Sequence, residues 1–300
     1  MCIRDSANTG NNGLNILNHT ADANVDTGIA VEDGNGKLNI LTPTVTNNGI
    51  NGIRITDFTN IVGDTTVIAG VGGNIGLLDD NGLGGSNQLI ELTQPGLLQN
   101  VLITDLTVSN GDGDGIDAIA TGIGTELNID IRDGVTVTGN LGDGISLAAF
   151  ESAVINANIG NPDLTTPPLE ISNNAFLGEA GIAILAQGTA GNLDLATVNA
   201  NITNVAIIND ESLLDTSGDG PDTFFNTTGI EINSIDAAIV DVTVTDSTIG
   251  NPAQDPNQNV QTGVDILLDN DTSFGRDPNR IVLDNLESVS YTHLTLPTKA

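Results

Sequence analysis

An aliphatic residue, any residue, then Asn or Asp: the phrase returns every thirty-odd positions along the chain. It appears as Ile16-Leu17-Asn18, Val45-Thr46-Asn47, Leu77-Leu78-Asp79, Val108-Ser109-Asn110, Ile171-Ser172-Asn173, Ile207-Ile208-Asn209, Val244-Thr245-Asp246 and Val282-Leu283-Asp284. Val137-Thr138-Gly139-Asn140 keeps the place with Gly. Successive markers lie 29 to 38 residues apart, and Gly-Ile/Val-x-aliphatic usually follows after a short turn. Such a period specifies a solenoid, because one repeat is too small to bury its apolar face except against its neighbours.

Within each repeat, apolar and polar residues alternate, as in Leu127-Asn128-Ile129-Asp130-Ile131 and Val240-Asp241-Val242-Thr243-Val244. That is strand periodicity, and Gly, Asn, Asp and Pro separate the runs with turn chemistry. From 139 to 173 three strands are predicted, at Ile145–Ala148, Val154–Ile159 and Leu169–Ile171. Three strands per repeat, each stacked on its counterpart, make an all-β parallel β-helix of about nine coils, roughly 40 Å long at the usual strand spacing. Aliphatic residues would fill the interior in rows, and the marker Asn and Asp residues would stack at one corner, where asparagine ladders can form. Two internal echoes bear on register. Ile155-Asn156-Ala157-Asn158-Ile159 returns as Val198-Asn199-Ala200-Asn201-Ile202 after 43 residues, and Ile159-Gly160-Asn161-Pro162 as Ile249-Gly250-Asn251-Pro252 after 90. Neither lag fits the marker series neatly.

Val137 to Leu147 (VTGNLGDGISL) and Ile171-Ser172-Asn173-Asn174 followed by Gly181-Ile182-Ala183-Ile184 resemble the right-handed β-helix repeats of the pectin-lyase-like superfamily. The resemblance covers most of 11–286 and is structural rather than catalytic. It implies a right-handed coil and a choice among polysaccharide lyases, glycoside hydrolases, phage tailspikes and non-enzymatic surface adhesins. The ends depart from this idiom. Residues 1–6 and 289–300 resemble translated adapter sequence on a metagenomic reading frame, so 7–288 is read as one β-helix domain of a longer protein.

Residues 7–288 hold no Cys, Met, Trp or Tyr, one His (His19) and five basic against 38 acidic residues, a formal charge of −33. Thiol catalysis, cysteine metal sites and disulfides are excluded there, and a Ser-His-Asp triad would have to use His19. No apolar run reaches membrane-spanning length. The acidity argues against nucleic acid as a partner. A secreted or cell-surface location is expected, with polysaccharide or another surface protein as the partner.

Candidate chemistry gathers in three places. The marker-to-Gly interval grows from 5 residues (47 to 52) to 20 (209 to 229) and 17 (246 to 263). Insertions in solenoids map to one face, so loops 210–228 and 247–262 are candidate contact loops. The outward residues of the Gly-Ile/Val-x-aliphatic strands are Ala30, Arg54, Asp117, Ser146, Ala183, Glu231 and Asp265, which puts Glu231 and Asp265 side by side on consecutive coils. Neighbouring carboxylates suit an acid/base pair or a cation, and equally two solvated side chains. Asn110-Gly111-Asp112-Gly113-Asp114-Gly115-Ile116-Asp117 begins like an EF-hand loop but has Thr121 in the bidentate place. Asp112, Asp114 and Asp117 are therefore candidate ligands for Ca²⁺ as a cofactor, against a plain Asp-Gly turn. Lyases of the resembling superfamily combine acidic calcium ligands with Arg or Lys, and its hydrolases carry Asp-Asp and Gly-His-Gly signatures. Neither constellation occurs here. The reading is a structural or adhesive rod, with a degenerate lyase or hydrolase using Glu231 and Asp265 as the alternative.

Overall fold

A computed structural model describes residues 2–4, 13–61, 63–79, 81, 86–174, 180–189, 195–208, 228–236, 238–250, 262–270, 279–287 and 292–295. Their strands form three parallel sheets of ten, nine and eight members, in which neighbours are third-next in sequence except for the last pair of the ten-strand sheet. The chain is therefore a right-handed parallel β-helix of about nine coils, the hand that parallel crossovers favour. No helix occurs among the described residues. Each coil gives its first strand to the ten-strand sheet, its second to the nine-strand sheet and its third to the eight-strand sheet. The sixth coil, for instance, is Ile145–Phe150, Val154–Gly160 and Leu169–Ser172, the three predicted strands lengthened by one or two residues. The flanks Cys2–Arg4 and Thr292–Thr295 add the edge strands of the ten-strand sheet.

Register explains the core. Ile53, Gln88, Ile116, Ile145, Ile182, Ile230 and Val264 stack coil on coil along one interior row, and each is fully buried. Val45, Leu78, Val108, Val137, Ile171, Ile207 and Ile249 form another. Alternation along each strand places the intervening residues outside.

The corners correct the marker assignment. Left-handed backbone occurs after the first strand, at Asp33, Asp57, Glu151 and Asp236, after the second, at Asn18, Thr42, Asp105, Asp133, Asn204, Asp246 and Asn285, and after the third, at Ala23, Asn47, Asn110 and Asn173. Asn and Asp tolerate that conformation at any of the corners. Markers 18, 246 and 284 thus belong to the second corner, whereas 47, 110, 139 and 173 belong to the third. Asp79 ends a third strand, and Asn209 lies outside the described residues. At the third corner the first turn runs 5 residues from Ala23 to Gly28. The 43-residue echo is true coil pairing, with Ile155 beside Val198 and Ile159 beside Ile202. The 90-residue echo joins two different sheets. It shares only a left-handed Gly, at φ 89° in Gly160 and 92° in Gly250.

An asparagine ladder does run along the third corner, one residue beyond the marker. Asn24, Asn48, Asn81, Asn87, Asn140 and Asn174 donate Nδ2 to Oδ1 in succession at 2.6, 2.8, 2.8, 2.6 and 2.7 Å. From Asn48 onward these side chains are buried. Asn140 Oδ1 also accepts from the Gly111 amide, and Asn174 Nδ2 donates to the Val137 carbonyl. The fourth coil achieves continuity by an exchange. Gly111 occupies the ladder place, and Asn87 occupies the place held by Gly28, Gly52, Gly115 and Gly144 in other coils. A Cβ on Gly111 would lie 2.6 Å from Asn87 Nδ2, so the two sites cannot both carry Asn without displacement.

Candidate functional site

The ten-strand sheet brings the predicted carboxylates together. Its outward row reads Ala30, Arg54, Leu89, Asp117, Ser146, Ala183, Glu231 and Asp265. Glu231 and Asp265 are direct register partners. Leu89 was missed by the sequence reading because Asn87 replaces the Gly that announces this strand. Asn233 Nδ2 donates to Glu231 Oε1 at 2.5 Å. Arg54 pairs with Glu32 on the preceding coil and lies five coils, about 24 Å, from Glu231.

Asp112, Asp114 and Asp117 are not gathered into a ligand set; among the described residues no three His, Cys, Asp or Glu side chains form a group fit to hold a metal ion. Asp112 is exposed at the third corner and gives its backbone N–H to the Asn81 carbonyl. Asp114 Oδ1 accepts the Asp143 amide at 2.8 Å. Asp117 stands half-buried on the outer face, where Ser86 Oγ lies 3.4 Å from its Oδ2. Desolvation pushes its carboxyl up to about 7, the Asp114 charge adding to the rise. The loops 210–228 and 247–262 lie outside the described residues, apart from 228, 247–250 and 262.

A third surface escaped the sequence reading. On the outer face of the nine-strand sheet, Asn100, Asn128, Asn156 and Asn199 stack in register. Asn128 Nδ2 donates to Asn100 Oδ1 at 3.0 Å, Asn156 to Asn128 at 2.8 Å and Asn199 to Asn156 at 2.8 Å. The adjoining row carries Asp130, Asn158 and Asn201, with Asn201 Nδ2 3.3 Å from Asn158 Oδ1. Apart from Asn199, these side chains line two adjoining shallow grooves of about 280 and 360 Å³, and both include Asp130, Arg132 and Asn158. Arg132 Nε lies between two carboxylates, 3.4 Å from Asp130 and 3.6 Å from Asp133. Burial raises the Asp130 carboxyl above its ordinary range, and Arg132 opposes the rise. The signal was present in sequence: Leu127-Asn128-Ile129-Asp130-Ile131 and the two segments of the 43-residue echo are one pattern in three consecutive coils.

Fold and faces together define a class, the parallel β-helix with strongly polar outer sheets. No protein-family model matches the chain, and no curated protein or solved structure matches it.

Proposed function

We propose that this chain is a β-helical rod of a secreted or cell-surface bacterial protein, of the non-enzymatic, adhesin kind within the pectin-lyase-like superfamily. Its work is presentation, holding polar faces and corner loops in fixed positions for contact with a polysaccharide or another surface protein. The observation that supports this reading is the register of the three sheets. Among the described residues, successive coils from the first to the eighth are paired in all three sheets, which makes a stiff body with little freedom to open. Buried aliphatic rows and asparagine ladders contribute to that stiffness. X-ray scattering and limited proteolysis of the whole chain test it. An elongated particle with a long-lived protease-resistant core is expected; a compact or flexible particle cut throughout its length refutes the rod.

The register pairing of Glu231 with Asp265 favours one second reading, a degenerate polysaccharide hydrolase or lyase. Neighbouring carboxylates are the minimal apparatus of glycoside hydrolysis. The only Lys or Arg in the described row, Arg54, is five coils away, and this makes the lyase form the weaker of the two. Release of reducing ends from neutral or uronic polysaccharides, lost in Glu231→Gln, would establish the enzyme; its absence leaves the rod.

A further inference from the structure

The two asparagine ladders differ in what they leave over. An amide side chain offers two N–H donors and two acceptor lone pairs. At the buried third corner this capacity is spent: Asn140 Oδ1 receives Asn87 Nδ2 and the Gly111 amide, and its Nδ2 faces Asn174 Oδ1 and the Thr138 and Val108 carbonyls. On the outer face of the nine-strand sheet, Asn128 gives one N–H to Asn100 and accepts one from Asn156. One donor and one lone pair remain. Asn158 is exposed and only accepts, from Asn201, so both of its N–H groups remain, as does the carbonyl oxygen of exposed Asn201. Fold continuity does not require this second ladder, because backbone pairing already joins the same strands. The spare capacity lies along the floor of the two grooves, and concavity beside convergent polar groups is what marks a ligand surface.

We infer that this groove, from Asn100 to Asn201, binds a linear neutral glycan lying along the rod axis. Asn128, Asn158 and Asn201 each keep a donor and an acceptor, whereas Asn156 spends both N–H groups on Asn128 and Glu126, and a sugar hydroxyl is donor and acceptor at once. A pyranose residue advances an extended chain by roughly the spacing of one coil, about 4.8 Å, so successive sugars lie against successive coils. Asp130 and Asp133 flank Arg132, the only cation among the described lining residues, and repel polyuronates and nucleic acids. No aromatic side chain is among those described residues, so affinity comes from repeated hydrogen bonds. The inference rests on the presentation reading and assigns it a face and a ligand class.

The test uses the whole chain, titrated with cellohexaose, mannohexaose and xylohexaose, and with hexagalacturonate as the charged control. Saturable binding to at least one neutral oligomer is expected, weakened about tenfold or more in Asn158→Leu/Asn201→Leu. Both sites point outward, so this variant should keep the wild-type melting temperature. Glu170→Gln, on the eight-strand sheet, should bind as wild type. No neutral binding, preference for hexagalacturonate, or undiminished binding by the double variant each overturns the assignment. If the variant melts early, Asn158→Ser/Asn201→Ser removes the amides with less change of shape and answers the same question. A failure here with an elongated, protease-resistant particle would remove the glycan and leave the rod.

Discussion

The fourth and fifth coils are neighbours of the same design, carried out with different residues. The fifth is regular: Gly115 opens it, Ile116 and Leu127 point inward, and Asn140 closes it as a ladder rung. In the fourth, Asn87, Gln88, Gln99 and Gly111 hold the corresponding places. Gln88 is fully buried between Ile53 and Ile116, with neither amide atom hydrogen-bonded. Gln99 is also fully buried and places Nε2 3.4 Å from Thr66 Oγ1. The backbone course is nevertheless the same. Pairing on both sides fixes the strand path, and side-chain identity then decides only how comfortably the interior is filled. A solenoid tolerates an ill-suited coil because its neighbours hold it in register.

The largest effect should come from damaging the regular coil. Asn140→Leu strips partners from Asn87, Asn174 and the Gly111 amide in a buried corner, and should cost about 3 kcal/mol or more in urea unfolding. Next comes the exchange itself. Gly111→Asn should destabilise by steric conflict with Asn87, and Asn87→Gly by breaking the ladder, each by about 1–3 kcal/mol. The double variant recreates the fifth coil's arrangement and should recover most of the loss. Additive losses would show that the exchange is not compensatory.

A third change should improve the irregular coil. Gln88→Ile extends the aliphatic row and removes two unpartnered buried polar atoms, for a gain of about 1–2 kcal/mol. A loss would mean that Gln88 is satisfied by something the interior admits, such as a bound water. The smallest effect depends on pH. Asp117 takes up its proton more readily folded than unfolded, its carboxyl rising from an ordinary 3.8 to about 7. The folded state therefore holds the extra proton between those values, and stability falls as pH rises through that window. Asp117→Asn should leave the melting temperature near wild type at pH 4, raise it by about a few degrees at pH 8, and flatten the profile between. An unchanged slope would show that Asp117 titrates normally.

Much of this architecture was legible because strand periodicity is local. Val154–Ile159 was correct to a residue at its end, and the adjacency of Glu231 and Asp265 followed from counting outward positions. The phase of the coil was harder to read. Asn and Asp mark left-handed backbone, and all three corners use it, so Asn18 and Asp246 look like Asn47 although they sit a strand earlier. The ladder was expected at the marker and lies one residue on, where the side chain turns inward. The groove on the nine-strand sheet was overlooked, although its repeated pattern was there to be read, because its residues have no catalytic character singly. Asn128, Asn156 and Asn199 become a surface only when three coils are stacked.

The register also has a mechanical consequence. Corresponding residues are 24 apart from Ile29 to Ile53 and 48 apart from Ile182 to Ile230, yet both pairs lie side by side. Tension along the axis must tear away a whole coil at once, since its ladders share the load. Each rupture then frees slack set by loop length alone, roughly 80 Å for the short coil and twice that for the long one. A pulled molecule would record its own insertions as a sawtooth of unequal teeth.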